Sequence, residues 1–65
     1  MKQIVLNGAP HPTAAEDVLA LVAQLGFPKG TVLVELNGTA LRPDEWPRPL
    51  AEGDRVEILR IVAGG

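Results

Sequence analysis

The sequence predicts an α+β domain, with one helix packed on one face of a mixed four- or five-stranded sheet. Three observations predict it. Two short β-branched runs each end in Asn-Gly, an amphipathic helical pattern lies between them, and a further β-branched run precedes the last residues. Hairpins on both sides of a single helix bury their apolar faces as two layers, sheet against helix.

The elements follow from punctuation and period. Lys2-Gln3-Ile4-Val5-Leu6 reads as a strand that ends at Asn7-Gly8. Val32-Leu33-Val34-Glu35-Leu36 reads as a second, ending at Asn37-Gly38. Asn-Gly after a strand is a strong hairpin signal, because both central residues of a type I′ turn need positive φ. The return strands must be short. Ala9-Pro10-His11-Pro12 carries two prolines, which lack an amide donor and belong on a sheet edge, and Thr39-Ala40-Leu41-Arg42 runs straight into Pro43.

Between the hairpins, Thr13 with Glu16 three residues later forms a capping box and predicts a helix start, with Glu16 and Asp17 in the first turn. Val18, Leu21, Val22 and Leu25 share one helical face. Gly26 is placed to be the first residue beyond the helix, and Pro28 forbids its continuation. Pro43 to Pro49 holds three prolines around Trp46 and reads as a loop or 3₁₀ turn. Glu52-Gly53-Asp54 is a turn, and Arg55-Val56-Glu57-Ile58-Leu59 is the last strand. Residues 1–60 thus make a single domain, with 61–65 as a flexible tail.

Composition excludes several classes of function. The 65 residues contain no cysteine, which removes disulfides, thiolate metal sites and a Cys nucleophile. A net charge of −2 without a basic stripe, and Phe27 and Trp46 as the sole aromatics, argue against nucleic-acid binding. No segment approaches the roughly 20 apolar residues of a membrane span, and no secretory signal is evident, so a cytoplasmic location is expected.

Taken together, Ile4-Val5-Leu6-Asn7-Gly8, Val34-Glu35-Leu36-Asn37-Gly38, Trp46, and Leu50-Ala51-Glu52-Gly53-Asp54-Arg55-Val56-Glu57-Ile58 running into Gly64-Gly65 carry a family resemblance. The chain resembles, over its whole length, the ThiS family of thiamine-biosynthesis sulfur carriers, which have the ubiquitin-like β-grasp fold. Gly-Asp-x-Val-Glu-Ile leading to a terminal Gly-Gly is the specific part; the Asn-Gly pieces are weak singly. Many relatives have a third glycine where this chain has Ala63.

The resemblance implies a carrier rather than an enzyme. An α-carboxyl group has a pKa near 3.5, so the Gly65 carboxylate is ionised at neutral pH and is a poor electrophile. The implied solution is adenylation by a ThiF-like adenylyltransferase that consumes ATP. Sulfur from a persulfide-bearing donor enzyme then gives a C-terminal thiocarboxylate, and thiazole synthase accepts the sulfur into the thiazole ring of thiamine. No cofactor or metal is expected on the carrier itself. Gly64 and Gly65 lack Cβ and can pass a narrow slot, and Ile61 to Gly65 fully extended spans roughly 17 Å. Gly65 is therefore expected to be essential, Gly64 nearly so, and Ala63 tolerant.

Strand parity marks a docking face. With Ile4, Leu6, Val32, Val34, Leu36, Val56 and Ile58 toward the helix, Val5, Leu33 and Leu59 point away. In the resembled fold their strands are neighbours at the centre of the sheet, so the three are expected to form one apolar patch rimmed by Glu35, Arg55 and Glu57. Ile61, Val62 and Ala63 complete the expected partner-binding set. The remaining candidates have simpler readings: His11 as a surface imidazole, Asp44-Glu45 as solvated acids, Trp46 as cover for the core, Lys2 and Lys29 as ordinary surface cations. Two other functions share the Gly-Gly signature. One is a sibling carrier, either the small subunit of molybdopterin synthase or a tRNA-thiolation carrier. The other is a ubiquitin-like protein modifier or interaction module.

Overall fold

A computed structural model describes residues 1–28 and 30–61. The strands are β1 (Lys2–Leu6), β2 (Ala9–Thr13), β3 (Val32–Leu36), β4 (Thr39–Leu41) and β5 (Arg55–Arg60). Helix α1 spans Val18–Gln24, and a 3₁₀ turn covers Pro43–Glu45. The five strands form one sheet in the order β2-β1-β5-β3-β4.

Both Asn-Gly hairpins form as expected. Asn7 and Asn37 have φ of 49° and 51°, followed by Gly8 and Gly38 at 83° and 84°, so both central residues of each turn take the left-handed values a tight hairpin needs. Prolines 10 and 12 sit on the edge strand β2, where a missing amide costs the sheet nothing. β5 lies at the centre, parallel to β1 and antiparallel to β3. One face of the sheet buries Ile4, Val32, Val34, Leu36, Val56 and Ile58 against Val18, Leu21 and Val22 of the helix. Burying side chains of this size stabilises by roughly 1.5–3 kcal/mol each.

The helix begins later than the capping-box reading predicts. Thr13 is the last residue of β2, and its hydroxyl accepts from Ala15 N–H (3.0 Å) and donates to Gln24 Oε1 (3.1 Å). The N-cap is Asp17, whose carboxylate accepts from Ala20 N–H at 2.7 Å. The reason is tertiary. Asp17 bridges Pro49, and Leu50 N–H donates to Glu16 C=O at 2.9 Å, which holds residues 16 and 17 extended. Glu16 and Asp17 consequently precede the first turn, which contains no acid. The other free amides of the helix start find carbonyls in the proline-rich loop: Val18 N–H donates to Arg48 C=O and Leu19 N–H to Trp46 C=O.

The helix C-terminus agrees with expectation. Gly26 has φ 81°; its N–H donates to Ala23 C=O, and Phe27 N–H donates to Val22 C=O. This is a Schellman motif, and Phe27 packs against the core beside it. Trp46 is 2 % exposed and closes the core below the helix start. Its indole N–H has no partner among the described residues, a burial cost of about 1–3 kcal/mol that the ring's apolar contact must offset.

Candidate functional site

The sheet face away from the helix is open. On β3 and β5, Leu33 stands directly opposite Leu59 and Glu35 directly opposite Glu57. Leu33 and Leu59 are 58 % and 51 % exposed, and Ile61, two residues further along the same face, is 46 % exposed. Ile61 N–H still donates to Thr31 C=O at 2.8 Å, so the sheet holds the chain up to that residue. Leu33, Leu59 and Ile61 form an apolar row that leads directly toward the final residues.

Val5 is placed apart from this row. Its register partner on β5 is Arg55, four residues before Leu59, and Val5 is half-buried. Four residues of strand are roughly 13 Å, so Glu57 stands between the level of Val5 and the leucine pair. Parity alone names the right face and says nothing about the stagger of a parallel pair. That stagger splits the three apolar residues into a pair and an outlier.

Sequence reasoning missed the residue that fastens the middle of β5. The Asn7 side chain accepts from Ile58 N–H at 2.7 Å and donates to Ile58 C=O at 3.3 Å. Where β1 ends, the Asn7 carboxamide therefore pairs with β5 as a further strand residue would. Asn37 acts similarly at the start of β5: its Oδ1 accepts from Arg55 N–H at 2.9 Å, and its Nδ2 donates to Asp54 Oδ1. The Asn-Gly signal reports turn geometry, and the second use of each side chain becomes visible only once β5 lies between the hairpins.

Other sequence candidates have structural roles. Glu45 Oε1 accepts from Arg42 N–H at 2.8 Å, and Asp44 receives the Arg42 side chain at 3.2 Å, so the two acids fasten the 3₁₀ turn. The hydrogen bond and charge of Asp44 raise the Arg42 pKa above its ordinary value, though on an exposed side chain. Lys2 Nζ donates to Ala15 C=O at 2.9 Å and ties β1 to the segment before the helix. His11 is half-buried on β2, opposite Ile4. Among the described residues no group of three or more acids or histidines could hold a metal, and no helix is long and apolar enough to cross a membrane. Val62, Ala63, Gly64 and Gly65, and Lys29, lie outside the described residues.

Five strands in this order around one helix, with the first and last strands parallel at the centre, define a ubiquitin-like β-grasp protein. Comparison with known proteins narrows the class. The model of the ThiS family matches residues 4–65. The sulfur carrier protein ThiS of Thermus thermophilus is 36 % identical over 61 residues, covering 92 % of this chain and 95 % of that protein. A crystal structure of the thiamine biosynthesis protein ThiS from Geobacter metallireducens superposes with a TM-score of 0.78 at 32 % identity, covering 97 % of this chain and 99 % of the other. The chain belongs to the ThiS family.

Proposed function

We propose that this chain is a sulfur carrier of thiamine biosynthesis that works through the carboxyl group of Gly65 and catalyses nothing alone. The observation that carries the reading is the family match, which spans residues 4–65. In this reading the ionised Gly65 carboxylate attacks the α-phosphorus of ATP in a partner adenylyltransferase and releases pyrophosphate. The terminal sulfur of a persulfide then displaces AMP, and a thiol reduces the acyl disulfide, leaving a thiocarboxylate. Sulfur is softer and more nucleophilic than carboxylate oxygen, so the loaded tail can attack a carbonyl-derived carbon in thiazole synthase. No cofactor need reside on the carrier, because the activating group is a substrate of the partner.

Geometry supports the division of labour. Among the described residues the last sheet hydrogen bond is at Ile61, and four residues beyond it can span at most about 14 Å. The body would rest outside the partner on the face bearing Leu33, Leu59 and Ile61, with Val5 at its margin, while Val62 and Ala63 line the approach and Gly64 and Gly65 enter the cleft. A location in the cytoplasm, where adenylation and persulfide chemistry have ATP and thiols available, fits the same scheme.

Intact-mass spectrometry after incubation with the cognate adenylating enzyme, ATP and a persulfide donor tests the reading. A gain equal to sulfur minus oxygen supports the carrier. Covalent ladders would instead indicate a protein modifier, and an unchanged mass a binding module. Transfer to thiazole synthase, but not to molybdopterin or tRNA-thiolation enzymes, then separates this carrier from its siblings.

A further inference from the structure

The open sheet face carries a charge arrangement that its own fold does not answer. Glu35 and Glu57 are direct cross-strand partners on β3 and β5. Like charges placed directly opposite destabilise a sheet, by up to about 1 kcal/mol. Neither carboxylate takes part in an ion pair or a side-chain hydrogen bond among the described residues; the ion pairs found there are those of Arg42 and Arg48 with Asp44 and Glu45. On its other side Glu35 faces Ala40 of β4, which offers no charge and little cover. Arg55 shares the face as a diagonal neighbour of Glu35, two residues before Glu57 on β5, and forms an ion pair with neither among the described residues. Glu35 is moreover half-buried, which makes an unanswered carboxylate costlier there than at a fully exposed position.

The next row along the same two strands is the exposed pair Leu33 and Leu59. One compact surface therefore offers two adjacent carboxylates beside two adjacent leucines, with Ile61 beyond. Cβ atoms of directly opposed residues lie about 4.5–5.5 Å apart, a spacing that a single planar guanidinium can bridge with separate N–H groups. A lysine ammonium, a compact point charge, matches that spacing less well.

We infer that the partner's docking surface presents an arginine that bridges Glu35 and Glu57, set beside apolar side chains that cover Leu33 and Leu59. The inference rests on the carrier reading above and specifies the partner's chemistry: an apolar patch with a basic residue at one end. The arginine removes the repulsion that the free carrier bears, so part of the attraction comes from relieving a strain of the unbound sheet. Because the acids lie at one end of the row, they also set the direction in which β5 points, and hence where residues 62–65 are delivered.

Titration calorimetry of the carrier against the cognate adenylating enzyme, at low and high salt, tests this with three proteins: wild type, the double variant Glu35→Gln with Glu57→Gln, and Leu59→Asp. The double Gln variant should melt at or above the wild-type temperature, bind about 10-fold or more weakly at low salt, and lose most of its salt dependence. Leu59→Asp should fold normally and lose binding at every salt concentration. If the double Gln variant binds as wild type does while Leu59→Asp does not, the arginine bridge is overturned and the docking face stands. If Leu59→Asp also binds normally, the face itself is wrong and the bridge falls with it. A double Gln variant that melts below wild type would contradict the unanswered repulsion on which the inference depends.

Discussion

Asn7 does two things at once. It adopts φ 49° in the hairpin turn and uses its carboxamide to pair both backbone groups of Ile58. Glycine could replace the first property and not the second. Asn7→Gly should therefore cost about 1–2 kcal/mol in urea denaturation, the net worth of the two lost hydrogen bonds. Asn7→Ala should cost about 1 kcal/mol more, because alanine must also bear the left-handed conformation. Equal losses for the two variants would show that the turn alone matters. Beyond β5 in sequence, Gly65→Val should leave denaturation unchanged and abolish loading of the tail, since in the proposed reading a side chain there crowds the carbonyl that the persulfide would attack. Loading of that variant at the wild-type rate would contradict the slot argument.

At the level of elements, the start of the helix shows how local signals and tertiary contacts divide. The apolar face of Val18, Leu21, Val22 and Leu25 and the Gly26 stop were legible because helix period and positive φ are properties of a short window. The Thr13–Glu16 capping box matched its pattern equally well and was displaced, because Pro49 and Leu50 come from some thirty residues away to pair with residues 16 and 17. The structure makes the assignment measurable. Asp17→Ala should lose about 1 kcal/mol as an N-cap, and Glu16→Ala, whose side chain is exposed, close to nothing. Thr13→Ala should cost about 1–3 kcal/mol, for it strands the buried Ala15 amide rather than uncapping a helix. The same division explains the docking face. Alternation along each strand identified which residues point outward, whereas the stagger between β1 and β5, which sets Val5 beside Arg55 and not Leu59, is fixed by pairing across the whole chain.

Across the whole molecule, β5 is the element on which the others converge. β1 and β3 flank it, Asn7 and Asn37 fasten its middle and its start, and its buried side chains Val56 and Ile58 are part of the core under the helix. Its outward side chains, Glu57 and Leu59, belong to the proposed docking face, and its end leads to Gly64-Gly65. One central strand thus carries the contact surface of the proposed docking face and continues in sequence toward the C-terminus through which the proposed carrier would act. The most direct measurement is tandem mass spectrometry of the C-terminal peptide released by trypsin after Arg60, once the protein has been incubated with its adenylating enzyme, ATP and a persulfide donor and rapidly alkylated. Sulfur-borne alkylation confined to Gly65 of the fragment Ile61–Gly65 is the predicted result. A fragment of unmodified mass, with the carboxylate intact while partner and donor are both active, would contradict the carrier reading.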